Sequence, residues 1–275
     1  VTDVLDRIEV YYDTVPRATA EVEDIGPFTL FVAPAGGFPF YARPRLRHPG
    51  PATRADVDRV DVDRVRARQR QLGVPEAFEW TDDLHPGLTE VVGRSGLTVT
   101  GHPLMALATG SGPAANASSA IPSGVSVRML EADDRVLAAA RAAVGVGFKT
   151  PGTAIGPDGV EARDRMTVGH DPVHAETRER IRQGLFALAV AEVGWGPVAG
   201  GGHSPRDGVS EITGVATLPA FRRQGLAAAV TATLVADAGA CGVDLCFLSA
   251  DSDAVARIYA GIGFVAVGTT CTAEP

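Results

Sequence analysis

The chain has 275 residues, 45% of them hydrophobic, and a formal net charge of −8. A chain this apolar can bury a core, which excludes global disorder, and its acidity argues against general nucleic-acid binding, which needs a basic surface. No apolar run reaches the ~18 residues of a membrane span, the N-terminal stretch is acidic rather than a basic leader, and the expected location is cytoplasmic.

In chain order, "VTDVLDRIEVYYDTV" carries helical periodicity from about 1 to 15. The runs "PFTLFVAP" and "FPFYARPRL" read as strands. A helix follows in "TRADVDRVDVDRVRARQRQLGV", with Thr53 or Asp56 as cap and Gly73 and Pro75 as stop. A strand "AFEWT", a short helix over 86–94 and a strand "GLTVTGHPLMALA" close this part. Composition then breaks at "TGSGPAANASSAIPSG", which has no charge and reads as a linker or a long ordered loop. The expected division is a first domain over 1–110, a linker over 111–124 and a second domain over 125–275.

The second part alternates clearly between strands and helices. "VSVRMLEA" is a strand and "DDRVLAAARAAVGVGF" a helix capped by Asp133 or Asp134. The segment 148–168 reads as a mobile loop and, with 200–208, as a substrate loop without a signature; "DPVHAETRERIRQG" reads as a helix. Strands are expected at "LFALAVAEV", "PVAGGGHS" and "GVSEITGVATL". An Ala-rich helix runs from Arg222 to about Ala240, followed by a buried strand "VDLCFLSA", a helix "SDAVARIYAGI" and a last strand or hairpin "GFVAVGTTCTA". Such alternation implies an α/β or α+β architecture. Cys241, Cys246 and Cys271 have no disulfide or metal spacing and read as small buried apolar residues.

The junction "ATLPAFRRQGLAAA" combines a strand end, two arginines and a glycine at a helix start. The first amides of a helix lack intrahelical partners and carry the positive end of its dipole. Gly225 lets an anion approach them, and Arg222 and Arg223 add charge, so the junction suits a phosphate or pyrophosphate. It is neither a Walker A loop nor a dinucleotide-binding fingerprint.

"RRQGLA" resembles the Q/R-x-x-G-x-G/A signature of the GNAT acetyltransferases, at Arg222, Gly225 and Ala227. "ARIYAGIGF" is similar to that family's Tyr-x-x-x-Gly-Phe element, at Tyr259, Gly263 and Phe264. The resemblance covers about 125–272. It implies a GNAT fold, a central mixed and mostly antiparallel sheet flanked by helices, and acetyl-CoA as cosubstrate. It further implies that the strand edge at Val215, Ala216 and Thr217 pairs with the pantetheine arm. The loop residues Arg222, Arg223, Gln224, Gly225, Leu226 and Ala227 would hold the pyrophosphate. Ser252 stands where the family often has a residue contacting the cofactor arm, and equally where a helix N-cap would stand.

Acetyl transfer to an amine needs a neutral amine, an acid for the leaving thiolate and a donor to the thioester carbonyl. Glu211 corresponds to the general base some GNAT enzymes use, or is a strand-end carboxylate in solvent. Tyr259 corresponds to the general acid, or packs beneath the cofactor. His203 and Asp207 flank a turn between two strands and either decorate it or reach the substrate. His170, His174 and Glu176 lack a metal motif, so no metal is expected. Trp195 either walls a pocket or is buried. Trp80, Asp82 and Asp83 form an aromatic and acidic stretch facing a cationic amine, or a solvated loop.

The first part shows no such signature loop. Its strand–helix–strand–helix–strand order nevertheless resembles the second half of a GNAT domain, which implies either a tandem GNAT protein with a degenerate first copy or an unrelated accessory segment. The function expected is an acetyl-CoA-dependent N-acetyltransferase acting on a small-molecule or peptide amine. The alternative is a non-catalytic acyl-CoA sensor. Neither nucleic acid nor membrane is expected as a partner.

Overall fold

The computed structural model describes residues 2–33, 40–46, 58–109, 121–167 and 171–275. The chain divides into two compact units, 1–104 with 266–275, and 105–265.

The first unit opens with helix α1, Thr2–Arg17, whose Leu5, Ile8, Tyr11 and Tyr12 are buried. Strands β1, Glu21–Ile25, and β2, Phe28–Val32, form a hairpin closed at Gly26–Pro27, where Gly26 has φ 58°. Such a two-residue hairpin turn requires a left-handed residue, and glycine takes that conformation without a Cβ clash. Polar β1 carries no apolar alternation in sequence, so it is added by the structure. Of "FPFYARPRL", residues 38 and 39 lie outside the described residues and only β3, Ala42–Pro44, is strand.

Helix α2, Arg59–Leu72, starts at Asp58, whose carboxylate accepts from the Asp61 amide at 3.0 Å. Asp61 returns the contact to the Asp58 amide at 3.3 Å, a reciprocal capping box. The cap is therefore Asp58; Thr53 and Asp56 lie outside the described residues. Strand β4, Phe78–Thr81, helix α3, Leu88–Gly93, and strand β5, Thr98–Ala108, follow. The C-terminal strand β11, Val265–Glu274, a single strand rather than a hairpin, pairs antiparallel with β4. The sheet order in this unit is β1-β2-β3-β4-β11-β5. Its core joins Phe28, Leu30, Val62, Val65, Phe78 and Trp80.

The second unit holds β6, Ser126–Met129, then α4, Leu137–Lys149. Helix α4 begins later than expected. Neither Asp133 nor Asp134 is its cap; Asp134 instead accepts from the Val136 amide at 3.0 Å and forms a turn before the helix. The stretch expected to be a mobile loop contains helix α5, Val160–Thr167. Arg163 explains it: this buried guanidinium donates to the carbonyls of Pro197 at 2.7 Å and Trp195 at 2.9 Å. No periodicity announces such a tie. Helix α6 spans Asp171–Arg182.

Strands β7, Ala187–Val193, β8, Gly196–Arg206, and β9, Val209–Thr217, form an antiparallel meander with β6. Helix α7, Leu226–Ala240, β10, Leu245–Ser249, and α8, Asp253–Ala260, complete the unit. Its order is β10-β9-β8-β7-β6, with residues 105–108 of β5 beside β10. Helix α7 begins at Leu226 rather than Arg222, so both arginines lie in the loop before it. Apolar nearly all round, it packs its buried residues into the core with Val198, Ile212 and Leu248.

The expected mostly antiparallel mixed sheet with flanking helices is present in both units. Of the expected linker, 111–120 lies outside the described residues. Cys246 and Cys271 are buried as expected, whereas Cys241 is exposed at the end of α7.

Candidate functional site

The parallel pairing of β9 and β10 runs from Val209/Leu245 to Glu211/Phe247 and no further, although β9 continues to Thr217. On its other side β9 remains paired with β8 up to Thr217. Between Gly200/Ala216 and Gly202/Thr213, β9 has two residues where β8 has one. The extra residue makes a β-bulge, with Gly214 at φ 62°. A bulge bends its strand and re-aims the peptide groups beside it. Here it leaves the β9 edge that follows Glu211 facing a cleft of about 670 Å³, within the size range of small-ligand sites.

The cleft is walled by β9 from Glu211 to Thr217, the loop and first turn of α7, Ser249 and Asp251 after β10, and Val255, Ile258 and Tyr259 of α8. Residues 147–153 form the facing wall. Phe148 of that wall is 60% exposed. This wall carries no motif, although most of it falls in the segment 148–168 expected to be a substrate loop.

At the loop, a short 3-10 turn over Pro219–Phe221 leads into Arg222, then Arg223 at φ 66° and Gly225 at φ 76°. Gly225 is the N-cap of α7, and no side chain caps the helix. The first amides of a 15-residue helix thus open onto the cleft, the geometry that binds anions.

The two arginines differ. Arg223 is exposed at the cleft rim. Arg222 is only 9% exposed. It donates to the carbonyls of Gly147 at 2.8 Å, Thr150 at 2.6 Å, Ala154 at 3.1 Å and Thr217 at 3.3 Å. It satisfies the C-terminal carbonyls of α4, where a cation also complements the helix dipole, and ties them to the end of β9. Its guanidinium is therefore engaged within the protein. Gly225, Leu226 and Ala227 line the cleft; Gln224 is exposed and does not.

Glu211 sits where the two strands part, half-buried, with Ser204 opposite it on β8. Tyr259 is 8% exposed, yet lines the cleft. Its ring meets Phe264 edge-to-face at 6.0 Å, and burial pushes its phenol up to about 12. At neutral pH it is a proton donor. Ser252 occupies the N-cap position of α8 without a side-chain cap bond, and does not line the cleft.

Several other residues fall elsewhere. His203 is not turn decoration: it is fully buried on β8, with Nδ1 2.9 Å from Ser210 Oγ and Nε2 2.9 Å from Asp237 Oδ2. This array joins β8, β9 and α7 away from the cleft lining. Its partners come from distant positions, so sequence could not pair them. Asp207, at φ 48°, is in the β8–β9 turn. Trp195 is 74% exposed in the β7–β8 turn, not buried. Trp80 is core, donating to Asp82 at 3.3 Å, while Asp83 is exposed and accepts from the Thr269 amide at 2.8 Å. His170 lies outside the described residues. Among the described residues no His, Cys, Asp and Glu cluster is placed to hold a metal ion, and no helix is long and apolar enough to cross a membrane.

Residues 155–274 match the acetyltransferase (GNAT) domain family. Among solved structures, the chain is similar to a GCN5-related N-acetyltransferase from Kribbella flavida at 21% identity, covering 99% of this chain and 96% of that one, with a TM-score of 0.72. It is also similar to a tandem GNAT protein from the clavulanic acid biosynthesis pathway, at 16% identity and TM-score 0.56, covering 90% and 78% of the two chains. A GCN5-related N-acetyltransferase from Sphaerobacter thermophilus matches at 17% identity and TM-score 0.52, over 91% and 80%. No curated protein matches the sequence.

Proposed function

We propose that this chain, which carries a GNAT acetyltransferase domain over residues 155–274, transfers the acetyl group of acetyl-CoA to a primary amine by direct attack on the thioester. The observation that carries this reading is one cleft holding an unpaired β9 edge, an uncapped α7 N-terminus and a buried tyrosine hydroxyl. A pantetheine arm has amides that can pair with Val215, Ala216 and Thr217 as an added strand would. The diphosphate then meets the amides from Gly225 to Ala227, with Arg223 adding charge.

In this reading Glu211, where β9 and β10 part, helps remove the proton from the incoming ammonium, which has no lone pair until it is lost. Tyr259 gives its proton to the CoA thiolate as it leaves. A β9 amide polarises the thioester carbonyl. Arg222 holds the cleft wall in place and Ser252 stands at the start of α8, outside the cleft lining, so neither is assigned to the ligand.

The first unit fits a tandem arrangement with a degenerate copy. Its β3–α2–β4–α3–β5 order parallels β9–α7–β10–α8–β11, and β3 and β4 are parallel, as β9 and β10 are. At the start of α2, however, Asp58 occupies the helix amides with its own carboxylate. Across β3 and β4, Arg43 pairs with Glu79. Both features oppose a diphosphate and a pantetheine there.

The test is calorimetric titration with CoA and acetyl-CoA, followed by thiol release across a panel of amines. Binding with amine-dependent thiol release is expected. Binding without release from any amine would make the protein an acyl-CoA sensor; no binding would return Arg223 to ordinary surface charge.

A further inference from the structure

The bulged segment of β9 is gripped from two faces by positions that tolerate no side chain. On β8, an ideal Cβ at Gly201 would lie 2.8 Å from Val215 Cγ2, 3.3 Å from Val215 Cα and 3.3 Å from Leu234 Cδ1. Near the end of α4, a Cβ at Gly147 would lie 2.8 Å from Ala216 Cβ, 3.1 Å from the Thr217 carbonyl oxygen and 3.3 Å from the Thr217 nitrogen. Separations under 3.0 Å between such atoms force something to move, and packed interiors shift as units rather than compress. At Gly147 the Cβ would meet a β-carbon and the β9 backbone, which cannot swing aside; at Gly201 it would meet first the γ-methyl of Val215, a β-branched side chain stiff at χ1, and then that residue's Cα.

We infer that Gly201 and Gly147 are positioning residues that set the aperture of the cleft, by letting the β9 bulge sit deep between β8 and α4. The inference rests on the acyl-CoA reading above. Residues 215–217 are held to β8 by Gly200/Ala216 and Ala199/Thr217 pairing and to α4 through Arg222. The remaining open side is the edge facing the cleft. A methyl group at either glycine therefore drives the segment toward the space the pantetheine arm needs, and turns its amides out of line.

The three consecutive glycines of β8 are not equivalent. Gly202 faces the other way, where its Cβ would meet the ring of Phe186 at 2.5 Å. That contact strains the fold on the face away from Val215. Gly202→Ala is thus the control for a steric cost that leaves the bulge alone.

The experiment titrates CoA calorimetrically into the full chain and its Gly201→Ala, Gly147→Ala and Gly202→Ala variants, each with a melting curve. Gly201→Ala and Gly147→Ala are expected to weaken the CoA Kd by ~10-fold or more. Gly202→Ala lowers Tm but keeps Kd within about twofold. If Gly201→Ala alone yields no folded protein, Gly147→Ala decides the same question. A Kd within about twofold of wild type in the folded glycine-to-alanine variants overturns the inference. Failure of the wild type itself to bind CoA overturns the acyl-CoA reading, and the proposed role of the glycines with it.

Discussion

Tyr259→Phe removes one oxygen and leaves the ring on Phe264. If Tyr259 is the general acid, CoA must leave as an unprotonated thiolate in the variant. Positioned acid catalysis is worth about 10²–10⁴ in rate, or roughly 2.7–5.4 kcal/mol of barrier. The expected result is a kcat lower by about that factor, with the CoA Kd within about threefold, since neither the β9 edge nor the α7 amides are touched. Burial holds the phenol at about 12, above its ordinary 10. It therefore stays protonated through pH 10, and ionisation of Tyr259 produces no alkaline fall in kcat below that pH. The same shift has a stability sign. A pKa raised in the folded state contributes stability that is complete below pH 10 and is lost as pH rises toward 12. The wild type should thus lose stability relative to Tyr259→Phe above pH 10, by up to roughly 3 kcal/mol at the limit. Single-turnover thiol release at pH 7–10, with denaturant melts at pH 7 and 11, measures both. An unchanged kcat would show that Tyr259 packs beneath the ligand and donates nothing.

Arg222→Ala leaves four carbonyls without their donor and should cost about 3 kcal/mol in urea unfolding; full stability with lost CoA affinity would make Arg222 a phosphate ligand instead. Arg223→Glu should weaken CoA binding ~10-fold or more, less so at high salt because the site is exposed, and an unchanged Kd in low-salt calorimetry would remove the loop from phosphate binding. In the first unit, Arg43 sits between Glu9 and Glu79 and over the Tyr12 ring at 3.9 Å. Desolvation raises the Glu79 pKa, with Arg43 opposing it. A raised carboxylate pKa contributes stability at low pH that fades as pH rises through the folded value. Arg43→Met removes the opposing charge, so its loss should be about 3–5 kcal/mol at pH 7 and smaller at pH 4; equal losses at both pH values would contradict the buried pairing.

Much of this molecule is legible in the order of its residues. Local physics accounts for α2 and its Gly73 stop, though its cap is Asp58 and neither of the two residues expected, and for the buried run at β10. It also accounts for a helix start near Gly225, with small residues following it, although the helix begins four residues later than Arg222. The Tyr259–Gly263–Phe264 spacing likewise survives as the end of α8 and the turn that leads into β11. What the sequence could not yield are contacts between distant segments. Arg222 and Arg223 are neighbours of one type, yet one is buried on the carbonyls of α4 and the other faces solvent. Only the packed position of α4 separates them. His203 looked like turn polarity until Ser210 and Asp237 were brought to its two nitrogens. The stretch between α4 and α6 looked mobile until Arg163 found the carbonyls of Trp195 and Pro197. The cleft itself depends on one extra residue in β9 opposite β8. Side-chain alternation states which residues share a face, but where pairing stops is decided by what packs on either side of the strand.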